Sequence, residues 1–212
     1  GRLRWAAAPR LVWSNFGKDS RLLSLARRRA LRADSKMQQP RVLITAQRYT
    51  QPQGGSHHLP NVQPEAEAQQ AAFGGAGSAE VLYDISVEEL GAALRNRRVW
   101  CFAGHGDAPL QGENVPAFTH AGSLQAVSID ALVDVVRPHA RDSLELIVFT
   151  GCNTDALAKA LQERTCVSCC VCWSSKLHDE AGRIFGAAFA ASTAEGRTPE
   201  EAFEAACTKV KT

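Results

Sequence analysis

The sequence predicts an α/β protein with a mostly parallel central sheet, and three observations carry that prediction. Leu146 to Thr150 is a charge-free run of apolar and β-branched residues that stops at Gly151, and Arg98-Val99-Trp100-Cys101-Phe102-Ala103 contains a second apolar run that stops at Gly104. Short continuous apolar runs bounded by glycine are the pattern of parallel strands buried on both faces. The third observation lies just past the first run: Asn153-Thr154 opens a helical pattern over Asp155 to Leu161, so a strand passes into a helix through a tight turn.

The 212 residues are read as one domain with an appended segment. At 45% hydrophobic and 22% charged residues, with a net charge of +2, the composition is that of an ordinary soluble globular protein. No apolar run approaches the length of a membrane span. The charge is unevenly divided: Gly1 to Pro40 holds ten Lys or Arg against Asp19 and Asp34, and the remainder is net acidic. Residues 1–40 are therefore expected to form a basic N-terminal extension or linker, and residues 41–212 the folded domain. Leu22, Leu23, Leu25, Ala26 and Leu31 suit one short amphipathic helix, with Arg27-Arg28-Arg29 emerging from it. A partly disordered extension, a linker to an upstream domain and the remnant of an organelle transit sequence share this composition. Nucleic-acid binding by the arginine cluster has no fold motif to support it.

Arg41 to Ala46 is the first core strand. The polar stretch QRYTQPQGGSHHLPNVQPE is a loop, and its adjacent His57 and His58 lack a Cys or carboxylate at ligand spacing, which favours loop surface over a metal site. Pro64 to Phe73 starts a helix with Pro near its first turn, broken at Gly74-Gly75. Glu80 to Asp84 is a short strand. Ser86 with Glu89 makes a capping box for a helix to about Arg95. After the Val99 strand, Gly106 to Gly122 reads as seventeen residues of loop, a flap framing a site. Leu124 to Val127 is a minor strand, and Ser128 starts a helix to about Pro138, with Leu132, Val135 and Val136 inward. His120 and His139 read as structural or solvated. Cys166 to Trp173 is the last strand. Asp179 is placed as N-cap of the next helix, and Thr198-Pro199 opens the final one.

Chemistry collects at the carboxyl edge of such a sheet. Cys152 sits where a strand ends and a helix begins, where unpaired N–H groups and the helix dipole favour a thiolate. His105, between two glycines just past its own strand, stands at the same edge if the two strands are neighbours. A Cys–His pair is the minimal equipment for nucleophilic acyl transfer. Cysteine packing is the commoner role for a lone Cys at a strand end. The paired placement is what raises the catalytic alternative.

FAGHGD, followed about 45 residues later by an apolar strand and TGC, resembles the caspase-haemoglobinase clan of cysteine peptidases. The chain is most similar to CHAT domains, with metacaspases next. The resemblance runs from Arg41 to the C-terminus and includes RVLIT, EVLYDISVEELGAAL, the late strand ending in CW, and DEAGRIFGAAFAASTAEGRTPEEAFEAA. It implies a three-layer αβα caspase-like sandwich and a regulatory cysteine endopeptidase working with a Cys–His dyad. TGCNTD lacks the acidic residue that metacaspases tend to carry before their cysteine, so Arg or Lys specificity does not carry over.

The expected catalytic residues are His105 and Cys152, with the backbone N–H groups of Gly106 and Cys152 meeting the oxyanion. Trp173 and Ser174 are expected to line a substrate cleft at the same edge, and Asp107 to place negative charge near it. Asp179 matches an acidic position that the resemblance links to substrate selection. Cys166, Cys169, Cys170 and Cys172 invite a metal reading, but a strand sends alternate side chains to opposite faces, which favours core packing. No cofactor and no metal are expected. The expected partners are a protein or peptide substrate and an upstream regulatory domain or activating partner, without membrane or nucleic acid. Seven cysteines without a secretory signal point to a reducing compartment, the cytoplasm or, for a transit remnant, an organelle. The alternative to the peptidase is a catalytically inactive interaction or scaffold module of the same fold. A flavodoxin-like or Rossmann-like small-molecule binder is a further rival, but no phosphate-binding glycine fingerprint follows any strand.

Overall fold

A computed structural model of the protein describes residues 9–13, 41–49 and 58–211. Six strands make the central sheet: β1 (Pro9–Trp13), β2 (Val42–Ala46), β3 (Ala79–Tyr83), β4 (Val99–Ala103), β9 (Leu146–Thr150) and β10 (Cys169–Trp173). Their spatial order is β1-β10-β9-β4-β2-β3, with β10, β9, β4, β2 and β3 all parallel and β1 antiparallel along the β10 edge. Between β4 and β9 the chain makes two small antiparallel hairpins, β5 (Ala108–Leu110) with β6 (Glu113–Val115), and β7 (Ala117–His120) with β8 (Ser123–Ala126).

The two-residue period of the strands sorts the core into two halves. Leu43, Trp100, Phe102, Ile147, Phe149, Cys170 and Cys172 pack on one face. That face is covered by α2 (Val87–Ala93), α3 (Ile129–Asp142) and α4 (Asp155–Arg164). Ile44, Cys101, Val148, Cys169, Val171 and Trp173 pack on the other, under α1 (Val62–Ala72), α5 (Asp179–Ala194) and α6 (Pro199–Lys211). The result is a three-layer αβα sandwich. On the first face Trp100 meets Phe149 edge-on, with ring centroids 5.7 Å apart, and its indole N–H reaches Thr45 Oγ1 at 2.9 Å. On the second face α5 approaches α1 closely because Gly186 carries no side chain. A Cβ at Gly186 would stand 3.2 Å from Gln69 Cδ.

Several local expectations change. Gly106 to Gly122 is not one loop but the two hairpins, resting on a small cluster of Tyr49, Ala108, Val115 and Ala117. Their turns place Gln111 (φ 51°) with Gly112 (φ 87°) and Ala121 (φ 48°) with Gly122 (φ 81°) in left-handed backbone. That is the twist a two-residue hairpin demands, met without the usual Asn-Gly or Asp-Gly. α3 runs past Pro138 to Asp142. The proline lies on the exposed side of the helix, and Ala140 beyond it is buried. The last strand begins at Cys169, leaving Cys166 exposed. The N-cap of α5 is His178, with Asp179 as the first helical residue. Pro9–Trp13 belongs to the sheet although it lies within the basic N-terminal segment. The amphipathic helix expected within residues 22–31, the arginine cluster and His57 lie outside the described residues. Ser86 and Thr198 each cap as expected: Ser86 Oγ accepts the Glu89 N–H, and Thr198 Oγ1 accepts the Glu201 N–H at 3.3 Å. No described helix is long and apolar enough to cross a membrane.

Candidate functional site

β4 and β9 are hydrogen-bonded neighbours in a register that sets Ala103 opposite Thr150. His105 and Cys152 each stand two residues past that pair, so the sheet brings both turns to the same carboxyl edge. The turns then pack backbone against backbone. A Cβ on Gly151 would lie 2.7 Å from the Gly104 carbonyl oxygen and 3.2 Å from the Gly106 nitrogen. A Cβ on Gly106 would overlap the Cys152 carbonyl oxygen and Thr154 Cγ2. These glycines are required by close approach, since real Cβ atoms do not come so near.

Thr154 anchors the cysteine turn to β10. Its N–H donates to the Trp173 carbonyl at 2.8 Å, and its Oγ1 accepts the Trp173 N–H at 3.1 Å. The Asn153 N–H, in a left-handed residue (φ 50°), donates to the Ser175 carbonyl at 3.2 Å. The amides of Asn153 and Thr154, just before α4, are thus engaged with the end of β10 and with Ser175 after it. Cys152 Sγ accepts the backbone N–H of Leu177 at 3.3 Å, a donor the sequence reading did not name, and faces the Leu177 carbonyl oxygen at 4.0 Å. The Cys152 side chain is partly exposed.

His105 is held on three sides. Its N–H donates to Tyr49 Oη at 3.2 Å, its carbonyl accepts the Ala117 N–H at 2.9 Å, and its ring lies 5.1 Å from the Tyr49 ring centroid. Asp107 Oδ1 is 3.8 Å from His105 Nδ1, in ion-pair range but beyond hydrogen-bond length. Asp107 is thus beside the histidine, partly exposed. The Gly106 amide donates to no backbone carbonyl among the described residues.

The expected cleft residues divide. Ser174 is partly exposed directly after β10, at the site edge. Trp173 is a correction: it is only 1% exposed and packs edge-on against Phe185 at 5.4 Å. By strand alternation it shares a face with Cys169 and Val171 and points under α5, not into solvent. Asp179 opens α5 after the Ser174–His178 segment, and its side chain lies outside the described residues.

Four of the other six thiols are placed differently from Cys152. Cys101, Cys169, Cys170 and Cys172 are buried, and burial pushes the thiols of Cys101, Cys169 and Cys170 well above their ordinary range. Cys170 and Cys172 face one side of the sheet and Cys169 the other. Among the described residues no three His, Cys, Asp or Glu side chains are grouped to hold a metal ion. His58 Nδ1 is 3.0 Å from the Arg48 carbonyl oxygen, a loop contact. Neither a scan of protein-family models nor a search of curated proteins finds a match to this chain.

Proposed function

We propose that the protein is a cysteine endopeptidase of the CHAT and caspase-like kind, with Cys152 as nucleophile and His105 as general base and acid. One observation carries the reading: a cysteine and a histidine stand at equivalent positions past two adjacent parallel strands, on glycine turns in backbone contact. The Cys152 thiolate attacks a peptide carbonyl carbon, a C–S bond forms, and the oxygen takes the negative charge near the Gly106 and Cys152 amides. The C–N bond then breaks as the His105 imidazolium protonates the leaving amine. Water, deprotonated by His105, cleaves the thioester and restores the thiol. Asp107 and Ser174 border the place a substrate would occupy. The Ser174–His178 segment supports the reading further, because its Leu177 N–H donates to Sγ and a hydrogen bond to sulfur favours the thiolate.

The test is trace labelling with iodoacetamide near pH 6, mapped by mass spectrometry on wild type and His105→Ala, followed by a fluorogenic peptide library. Only Cys152, Cys166 and Cys207 are not buried, so selectivity is a contest among three thiols. Labelling concentrated at Cys152 and lost in His105→Ala supports the dyad, and cleavage abolished by Cys152→Ala supports the peptidase. Uniform labelling would leave the inactive scaffold as the better description.

A further inference from the structure

Tyr49 is a large, 5% exposed residue held at φ 52°, a left-handed conformation that bulky side chains rarely adopt. A backbone strained in this way persists only where its surroundings enforce it, and such positions gather at functional sites. The enforcing groups are clear. Asp84 Oδ1 accepts the N–H groups of Arg48 at 2.5 Å and Tyr49 at 3.3 Å, while Asp84 Oδ2 is bonded by the Arg48 guanidinium at 2.8 Å. The phenol so placed donates to the Ala117 carbonyl at 2.8 Å and accepts the His105 N–H at 3.2 Å. Ala117 in turn donates to the His105 carbonyl. Residues 49, 105 and 117 therefore close a ring of hydrogen bonds through the histidine's own backbone. Gly104 makes room for it, since a Cβ there would lie 3.0 Å from Tyr49 Oη. The Tyr49 ring, tilted 34° to the imidazole, supplies a face on the remaining side.

We propose that Tyr49 is the positioning residue for His105, fixing the imidazole toward the cysteine turn through its hydroxyl and its ring face. The inference rests on the Cys–His reading above and names a residue that reading does not contain. Burial keeps the Tyr49 phenol protonated far above neutral pH, so the hydroxyl acts as donor and acceptor at once throughout the working range.

The experiment is the rate of iodoacetamide labelling at Cys152 from about pH 5 to pH 9 in wild type, His105→Ala, Tyr49→Phe and Thr119→Val. Tyr49→Phe keeps the ring and removes the hydroxyl. It is expected to slow labelling on the acid side about tenfold, the effect of one lost hydrogen bond on the histidine, and to leave the alkaline side, where the thiolate forms unaided, unchanged. Thr119→Val removes a neighbouring buried bond to Gln47 Oε1 without touching His105 and is expected to follow wild type. The inference is overturned if Tyr49→Phe follows wild type at acid pH, if it loses rate equally at every pH, or if Thr119→Val loses the acid side as well. Coincident curves for wild type and His105→Ala would instead sink the Cys–His reading, and Tyr49 with it.

Discussion

The backbone N–H of Leu177 donates to Cys152 Sγ at 3.3 Å, across 25 residues of sequence. A donor aimed at sulfur stabilises the thiolate, and a proline cannot supply it. Leu177→Pro is expected to lower Cys152 labelling near neutral pH by about tenfold, the worth of one hydrogen bond. Leu177→Ala, which keeps the amide, should stay within a few-fold of wild type. Equal losses in the two variants would assign the effect to the leucine side chain.

The contact between the two turns predicts where the site is least tolerant. Gly106→Ala places a methyl group on the Cys152 carbonyl and Thr154, and Gly151→Ala places one on the Gly104 carbonyl. Each is expected to lose about 2–3 kcal/mol in urea unfolding, since backbone cannot move aside cheaply. Gly182→Ala is tight only against the end of the Leu177 side chain, at 3.1 Å, and should cost well under half as much. A Gly106→Ala protein as stable as wild type would contradict the packing described.

The hairpin turns predict a gain. Ala121 is exposed and held at φ 48°, ahead of Gly122. Ala121→Asn installs the residue pair that this turn favours and is expected to raise stability by about 0.5–1 kcal/mol. Differential scanning calorimetry reads the outcome, and an unchanged or lower Tm would argue against the turn.

His139, on α3, predicts a pH dependence. Burial holds its imidazole below the ordinary histidine value; Asp142 and the Gly91 backbone act the other way, and Arg95 acts with burial. The folded state then binds the proton less readily than the unfolded chain, so stability rises with pH through this window. The contribution is fully present above the unfolded value of about 6.5 and is lost as pH falls below it through the lower folded-state value. His139→Gln is expected to flatten the fall in Tm between about pH 7 and pH 5.5. An unaltered slope would mean other groups set it.

The parallel core was readable because burial on both faces leaves an unbroken apolar run, as in Leu146–Thr150 and Val99–Ala103, and capping chemistry is local, as at Ser86 and Thr198. The same reading paired His105 with Cys152, since two residues past a strand end is a one-dimensional fact. It missed what depends on long-range closure. Tyr49 sits in a polar loop by composition, and its only signal was an aromatic residue three positions past β2. Leu177 acts through an amide that carries no sequence signature. Trp173 was misplaced because, at the last position of a strand, alternation decides its direction and proximity to the edge does not. The hairpins were hidden because Gln-Gly and Ala-Gly are weak turn signals, and β1 because five residues inside a basic segment carry too little pattern.

The antiparallel pairing of Pro9–Trp13 with Cys169–Trp173 also orders events in time. The sheet strand synthesised earliest among those described waits for the one synthesised last, and until the two pair the cysteine-rich β10 has no cover on its outer edge. Closing contacts so distant in sequence is slow, and an uncovered apolar edge is a template for pairing between molecules. A chain beginning at residue 41 would keep both site turns yet carry that bare edge permanently, so its yield would fall through self-association rather than through damage to the site.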